Sequence, residues 1–197
     1  TTLLQTFAAL AVSSIAGYGF EIYHDKAKDT VMAILMLAMM VPFVAVLVPL
    51  FQMFTKAKLI NSWTGFILPS IATPFLIMYF RNSARSFPRD TLEAARIDGL
   101  NEFQIFIRMF IPMMKPTYAS AATITFMNAW NAYLWPKVVM QTNEAITMPM
   151  LVANTMGGYV IDYGVVMAAV TICSLPTVII FFCLQKSFTN AVAGAVK

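Results

Sequence analysis

The side chains of this sequence that could do chemistry collect in two places. The first is Thr91-Leu92-Glu93-Ala94-Ala95-Arg96-Ile97-Asp98-Gly99-Leu100-Asn101-Glu102-Phe103-Gln104, the one long charged interval of an otherwise apolar chain. Its carboxylates and guanidiniums suit ion pairing with a partner surface. The second is Thr117, Ser120, Asn128, Asn131 and Trp135, which at 100° per residue fall within a sector of about 80° and would make one polar stripe on a helix. Amides donate and accept hydrogen bonds without carrying charge. At membrane depth such a stripe turns to a bundle interior or a cavity, where it either lines a path or ties helices together. Neither group is a catalytic set. The chain has no Gly-rich phosphate loop, no HExxH and no Gly-x-Ser-x-Gly, so any ATP chemistry belongs to a partner. The sole histidine, His24, reads as a solvated loop residue, and Glu144 and Asp162 read as solvated acids. Cys173 and Cys183 lie ten residues apart on one apolar run, too far along a helix to pair.

The charged interval calls for two short helices hinged at a glycine. Pro88 suits a first helical turn, Asp90 and Glu93 place negative charge at the positive end, and Gly99 most cheaply takes the left-handed stop, which bounds the first helix at about Pro88 to Asp98. Asn101 with Gln104 forms a capping-box pattern. Beyond it Phe103, Phe106, Ile107 and Phe110 recur at the spacing of one apolar helical face, leaving Glu102 and Arg108 on other faces.

These helices sit in a membrane protein. Hydrophobic residues make up 59% and charged residues 11% of the chain, against about a quarter charged in soluble domains, and the mean hydropathy is +0.73. Five runs, Leu3 to Phe20, Val31 to Phe54, Thr64 to Phe80, Thr117 to Met140 and Gly164 to Leu184, have roughly the 17 to 25 apolar residues of a spanning helix. The 13 Lys and Arg residues divide unevenly. Lys26, Lys28, Arg81, Arg85, Arg89, Arg96, Arg108, Lys115, Lys186 and Lys197 fall on one side, and Lys56, Lys58 and Lys137 on or near the other. The positive-inside tendency places the Glu93 loop and the C-terminus in the cytoplasm. The net charge of +4 needs no nucleic acid to explain it. The chain opens on Thr1 in an apolar run, and the expectation is a fragment lacking an N-terminal helix.

Prolines mark the spans that bend. Pro42 and Pro49 fall in the second run and Pro69 and Pro74 in the third, and each would leave the carbonyl four residues back unsatisfied, at Ala38, Ala45, Gly65 and Ser70. In lipid such groups are tolerated only beside protein or a watery cavity. Either these are packing kinks or the two spans flank a pathway.

Glu93-Ala94-Ala95, three residues, Gly99, nine residues, and Met109-Phe110-Ile111-Pro112 resemble the EAA loop of the membrane-spanning subunits of ABC importers, with Met109 and Ile111 in place of residues of similar bulk. Trp130-Asn131-Ala132-Tyr133-Leu134-Trp135-Pro136 resembles the Trp-Asn-x-Phe-Leu-x-Pro segment of the maltose-type carbohydrate permeases. Ala16 to Phe20, Leu59 to Ser62, Thr147-Met148-Pro149 and the closing Gln185, Phe188 and Gly194 to Lys197 are similar to other segments of that family. The run Glu21 to Lys26 and the stretch Thr189 to Val192 depart from it.

The resemblance implies an all-α integral membrane bundle of five transmembrane helices, the type I permease core, with residues 81–116 as its cytoplasmic coupling loop. It assigns ATPase coupling to Glu93, Ala94, Ala95, Asp98, Gly99 and Pro112. The candidates for the substrate path are Asn128, Trp130, Asn131, Tyr133 and Trp135. The implied partners are a homologous second permease subunit, two ABC ATPase subunits carrying the ATP and Mg, an extracytoplasmic solute-binding protein, a sugar or oligosaccharide, and the lipid of a prokaryotic cell membrane. The chain itself would be no enzyme and bind no cofactor. The alternatives are an ABC permease for a non-sugar solute or a structural membrane subunit. A secondary transporter would want an ionisable residue at mid-membrane, and the five runs offer no Asp, Glu or Lys there.

Overall fold

A computed structural model describes residues 1–142, 146–157 and 161–194, with side chains to residue 185; Glu144 and the closing Ala195-Val196-Lys197 lie outside the described residues. The described chain is helical throughout. Helix α1, Thr2–Ile22, is a single apolar span. Helices α2, Lys26–Ala38, and α3, Phe43–Lys56, are the second expected run, bent by 103° at the break before Pro42. The carbonyl of Ala38 accepts from the Val41 amide at 3.2 Å, so a tightened turn serves the group Pro42 frees. Helix α4, Trp63–Ile67, runs through a 3₁₀ turn at Leu68–Ser70 and meets α5, Pro74–Ala84, at a 47° bend, with Pro74 opening the new helix.

The loop within residues 81–116 holds α6, Arg89–Ile97, α7, Glu102–Ile105, a π-turn at Phe106–Phe110, and α8, Ile111–Met113. Helix α9, Lys115–Trp130, is followed by α10, Leu134–Val139, then α11, Met148–Thr155, and the long α12, Tyr163–Gly194. The oxygen Oδ1 of Asp162 accepts from the amides of Gly164 and Val165, so this acid caps α12.

Two corrections follow. Among the described residues only α1 and α12 are single helices long and apolar enough to cross a membrane, and the two bent pairs qualify when each is taken as one span. The fourth expected run is no continuous helix to Met140, since α9 stops at Trp130 after 16 residues. Pro136 is the reason: without an amide hydrogen it is comfortable only near the start of a helix, so the chain breaks at Asn131 to Tyr133 and restarts as α10.

Helix α1 packs against α5 and α9, and α12 against α9 and α11. A stripe of Ala9, Ser13 and Gly17 lets α1 and α5 approach closely, and a Cβ on Gly17 would stand 2.6 Å from Phe80 Cβ and 2.7 Å from the Arg81 nitrogen. Gln5, Thr6, Ser13 and Ser14 are buried on this same helix. Three apolar clusters stack along the bundle. Tyr18, Phe87, Leu92, Ile105, Phe106 and Phe110 lie at the end that carries α6 and α7, Ala9, Leu76, Phe80 and Ala121 in the middle, and Phe54, Phe66, Trp135 and Val139 at the opposite end.

Candidate functional site

The loop that holds α6 and α7 is built as its residues dictate. At the end of α6 the Leu100 amide bonds the Ala95 carbonyl at 3.0 Å and the Gly99 amide bonds the Arg96 carbonyl at 3.1 Å, the Schellman arrangement, with Gly99 at φ +79°. Asn101 and Gln104 then exchange hydrogen bonds of 2.9 Å each way, which starts α7. Glu93, Ala94 and Asp98 are exposed while Ala95 and Leu92 are buried in the cluster around Tyr18 and Phe110, so the two alanines differ in role: Ala95 fits the loop to the bundle, and Ala94 leaves the outer face low. Glu93 lines a cleft with Glu21, Arg85, Arg89 and Arg96. Pro112 is exposed in the first turn of α8.

The second apolar face departs from expectation. Phe106 and Phe110 are buried as predicted, but Phe103 and Ile107 are exposed and Ile105 is fully buried. The amide of Ile111 bonds the Phe106 carbonyl, an i→i+5 closure. That wider turn brings Ile105 and Phe110, five residues apart, toward one side, where a 100° step would separate them by about 140°.

Sequence reasoning missed the groups that tie this loop to the spans. Arg96 Nε donates to Glu102 Oε1 at 2.8 Å across the Gly99 turn, and the Tyr18 hydroxyl donates to Glu102 Oε2 at 3.4 Å. Burial disfavours the charged form of Glu102, but hydrogen bonds from Tyr23 and Arg96 outweigh it and hold this carboxyl below its ordinary range. A depressed carboxylate stabilises the folded loop above the unfolded-state value, and the contribution disappears only as pH falls through the lowered one, so the clamp is whole at neutral pH. Burial first and then Glu102 push the Tyr23 phenol upward. Arg81, counted from sequence among the loop cations, lies in α5 and is buried, with Nε 3.3 Å from Glu21 and Nη2 2.6 Å from Asp29. His24 is not merely solvated, since it sits 2.9 Å from Asp29. The signal available was two acids, Glu21 and Asp29, on the side of the protein where the cations collect. This cluster joins the loops after the first and third spans on one face, as the Lys and Arg distribution requires.

The polar stripe is not held as one. Thr117, Ser120 and Asn128 lie on α9, Asn131 is its C-cap, and Trp135 is on α10. Ser120 is buried, its hydroxyl donating to the Pro116 carbonyl. Asn128, Asn131 and Tyr133 are exposed on the single chain, and Asn131 Nδ2 donates to the Met127 carbonyl at 2.9 Å. The two tryptophans bind protein. Trp135 Nε1 donates at 3.2 Å to the carbonyl of Gly65, the group expected to be freed by Pro69, and its ring meets Phe54 edge-on at 5.1 Å. Trp130 Nε1 donates at 2.8 Å to the carbonyl of Cys173, three residues before Pro176 in α12. Each indole therefore serves a backbone carbonyl at a proline-affected turn of another span. Beside them the Asn61 amide donates to the Val139 carbonyl at 2.8 Å, and Asn61 Oδ1 accepts from the Gln141 amide at 2.6 Å.

Residues 9–194 match the family model described as binding-protein-dependent transport system inner membrane component. The chain is 42% identical over 195 residues to the lactose transport system permease protein LacG of Rhizobium radiobacter, covering 99% of this chain and 71% of that protein. It is 36% identical over 196 residues to the arabinooligosaccharides transport system permease protein AraQ of Bacillus subtilis, covering 99% and 70%. A chain from the crystal structure of a bacterial ABC transporter that imports the acidic polysaccharide alginate superposes with a TM-score of 0.82 at 23% identity, over 95% of this chain and 72% of that one, a likeness of fold.

Proposed function

This chain belongs to the family of binding-protein-dependent transport system inner membrane components, and from that premise we propose that it forms half of the translocation path of a carbohydrate importer and couples to the ATPases through Glu93 and Gly99. As a permease component it spans the bacterial inner membrane, works with ATPase and binding-protein partners, and leaves ATP hydrolysis to the ATPases. In the proposed assembly a homologous permease subunit supplies the other half, and two ATPases dock beneath. The carbohydrate assignment is supported by identity across nearly the whole chain to permeases named for lactose and arabinooligosaccharides.

The observation that carries the coupling role is an apolar surface where a water-exposed loop should have none. Ile97 is 86% and Phe103 69% exposed, next to exposed Glu93 and Asp98. Exposed apolar residues rimmed by charge mark a docking face, and Gly99 and the Arg96–Glu102 pair fix the angle between its two helices. Glu93→Ala and Gly99→Val are expected to leave insertion intact while ATP hydrolysis loses its link to uptake. Gly99 has open space around it, so the valine costs only backbone strain of about 1 to 2 kcal/mol, enough to re-aim α7. Normal solute-stimulated ATPase activity and uptake in both variants, or failure of the chain to bring down an ATPase on purification, refutes this role.

A path between two halves is lined by residues that one half leaves exposed. Asn128, Asn131 and Tyr133 satisfy that condition, whereas Trp135 is buried. Neutral amides offer a sugar hydroxyl both donor and acceptor and hold it weakly enough for release. Asn131→Leu is expected to lower uptake or shift sugar preference, with assembly and basal ATPase activity retained. Dissociation of the complex would make Asn131 a helix-joining residue instead, and unchanged transport of several sugars would remove it from the path.

A further inference from the structure

We propose that the last turns of α1 carry the movement of the cytoplasmic loop into the bundle, with Tyr18 and Glu102 as positioning residues; this rests on the coupling role proposed above for Glu93 and Gly99. The polar contacts form a chain with direction. Arg96 and Glu102 join the two loop helices at 2.8 Å, and Glu102 accepts from Tyr18 at 3.4 Å. The Tyr18 ring stands edge-on to Phe106 and Phe110, with centroids 5.3 Å and 4.9 Å away, so the π-turn grips the same residue from its other side. Three residues further along α1, Glu21 accepts from Arg81 on α5 at 3.3 Å and from Arg85, just past the end of α5, at 3.4 Å, and Arg81 continues to Asp29 on α2 at 2.6 Å. A push on α6 or α7 therefore reaches α5 and α2 through one helix end.

Apolar contacts also join the loop to the bundle, through Leu92 and Ala95 against Ala84 and Phe87. Such contacts are non-directional and can slide, whereas a hydrogen-bonded ion pair holds one geometry or breaks. Glu102, bonded to Arg96 on the loop and to Tyr18 and Tyr23 at the end of α1, makes the loop and α1 move as a unit. Gly17, which abuts Phe80 and Arg81 of α5, lies directly before Tyr18, so little slack separates the point of input from the point of output.

The test uses the complete importer, with its ATPases and binding protein, reconstituted in liposomes. Two quantities are read: solute moved per ATP hydrolysed, and the yield of a disulfide between a cysteine at position 97 and the ATPase surface. Tyr18→Phe keeps the ring and removes the donor, and Glu102→Gln keeps the shape and removes the charge. Each is expected to lower solute moved per ATP by about threefold with disulfide yield unchanged. Exchanging the pair, Arg96→Glu with Glu102→Arg, lets the Tyr18 hydroxyl accept where it donated, and is expected to restore most of the ratio. A normal ratio in both single variants, or disulfide loss in Tyr18→Phe, overturns the inference. A position-97 disulfide that never forms, in the unaltered importer as in the variants, overturns the docking reading beneath it.

Discussion

Gly65→Ala is expected to cause a large loss of folded protein, although the substitution adds a single methyl group. A Cβ at this position would stand 2.0 Å from the carbonyl oxygen of Leu59. Neither side can yield easily. Leu59 belongs to a turn in which Lys58 and Asn61 hold φ of 56° and 55°, and Ser62 is bonded to both Leu59 and Gly65. Overpacking of this kind costs about 1 to 3 kcal/mol, and displacing the Gly65 carbonyl from the Trp135 indole leaves a buried acceptor short of a partner at about 1 to 3 kcal/mol more. Trp135→Phe removes the donor alone and should fall between the variant and the unaltered protein. Monodisperse yield after mild heating in detergent measures the series, and equal recovery of Gly65→Ala and the unaltered protein would refute the account.

Gly17→Ala should destabilise the bundle almost as strongly, and Gly19→Ala, two residues away, should not. The methyl on Gly17 meets Phe80 Cβ and the Arg81 backbone, whereas a Cβ on Gly19 has nothing within 4 Å. Forcing α1 from α5 also pulls Glu21 away from Arg81, which keeps Asp29 on α2, so the main cost is the overpacking, about 1 to 3 kcal/mol. Two readouts check this: the temperature at which the complex dissociates, and protease access to residues 81–116. Matching behaviour of the two alanine variants would show that the α1–α5 contact does not limit stability.

What could be read from the sequence was whatever local chemistry decides. Gly99 had to end a helix, because few residues rest at φ +79°, and it does. Asn101 and Gln104 needed only each other. The break before Pro42 followed from a missing amide hydrogen. Reading failed where a tertiary partner decides the geometry. The face Phe103, Phe106, Ile107 and Phe110 assumed 100° per residue throughout, but a π-turn is favoured only because Tyr18 and Phe87 receive the rings it turns inward. The polar stripe carried a helical phase from Asn128 to Trp135 across Asn131 to Tyr133, where α9 ends and α10 begins. Arg81 resembled the other loop cations until Glu21 and Asp29, 60 and 52 residues away in sequence, came alongside. The freed carbonyl of Gly65 was foreseeable, but not that an indole would find it.

The polar face of α1 also has a consequence for how the protein is made. Gln5, Thr6, Ser13 and Ser14 are buried only because α5 and α9 cover them, and the Gln5 Oε1, Thr6 Oγ1 and Ser13 Oγ atoms find no hydrogen-bond partner among the described residues. During synthesis α1 leaves the ribosome long before Pro74 or Lys115 has been added, so these groups meet the insertion machinery bare. Helix α12 has the opposite character, apolar and mostly uncovered from Tyr163 to Gln185, and can partition into lipid by itself. Helix α1 is therefore the span that has to be chaperoned at the lateral gate until α5 and α9 arrive, and α12 the one that can leave without waiting.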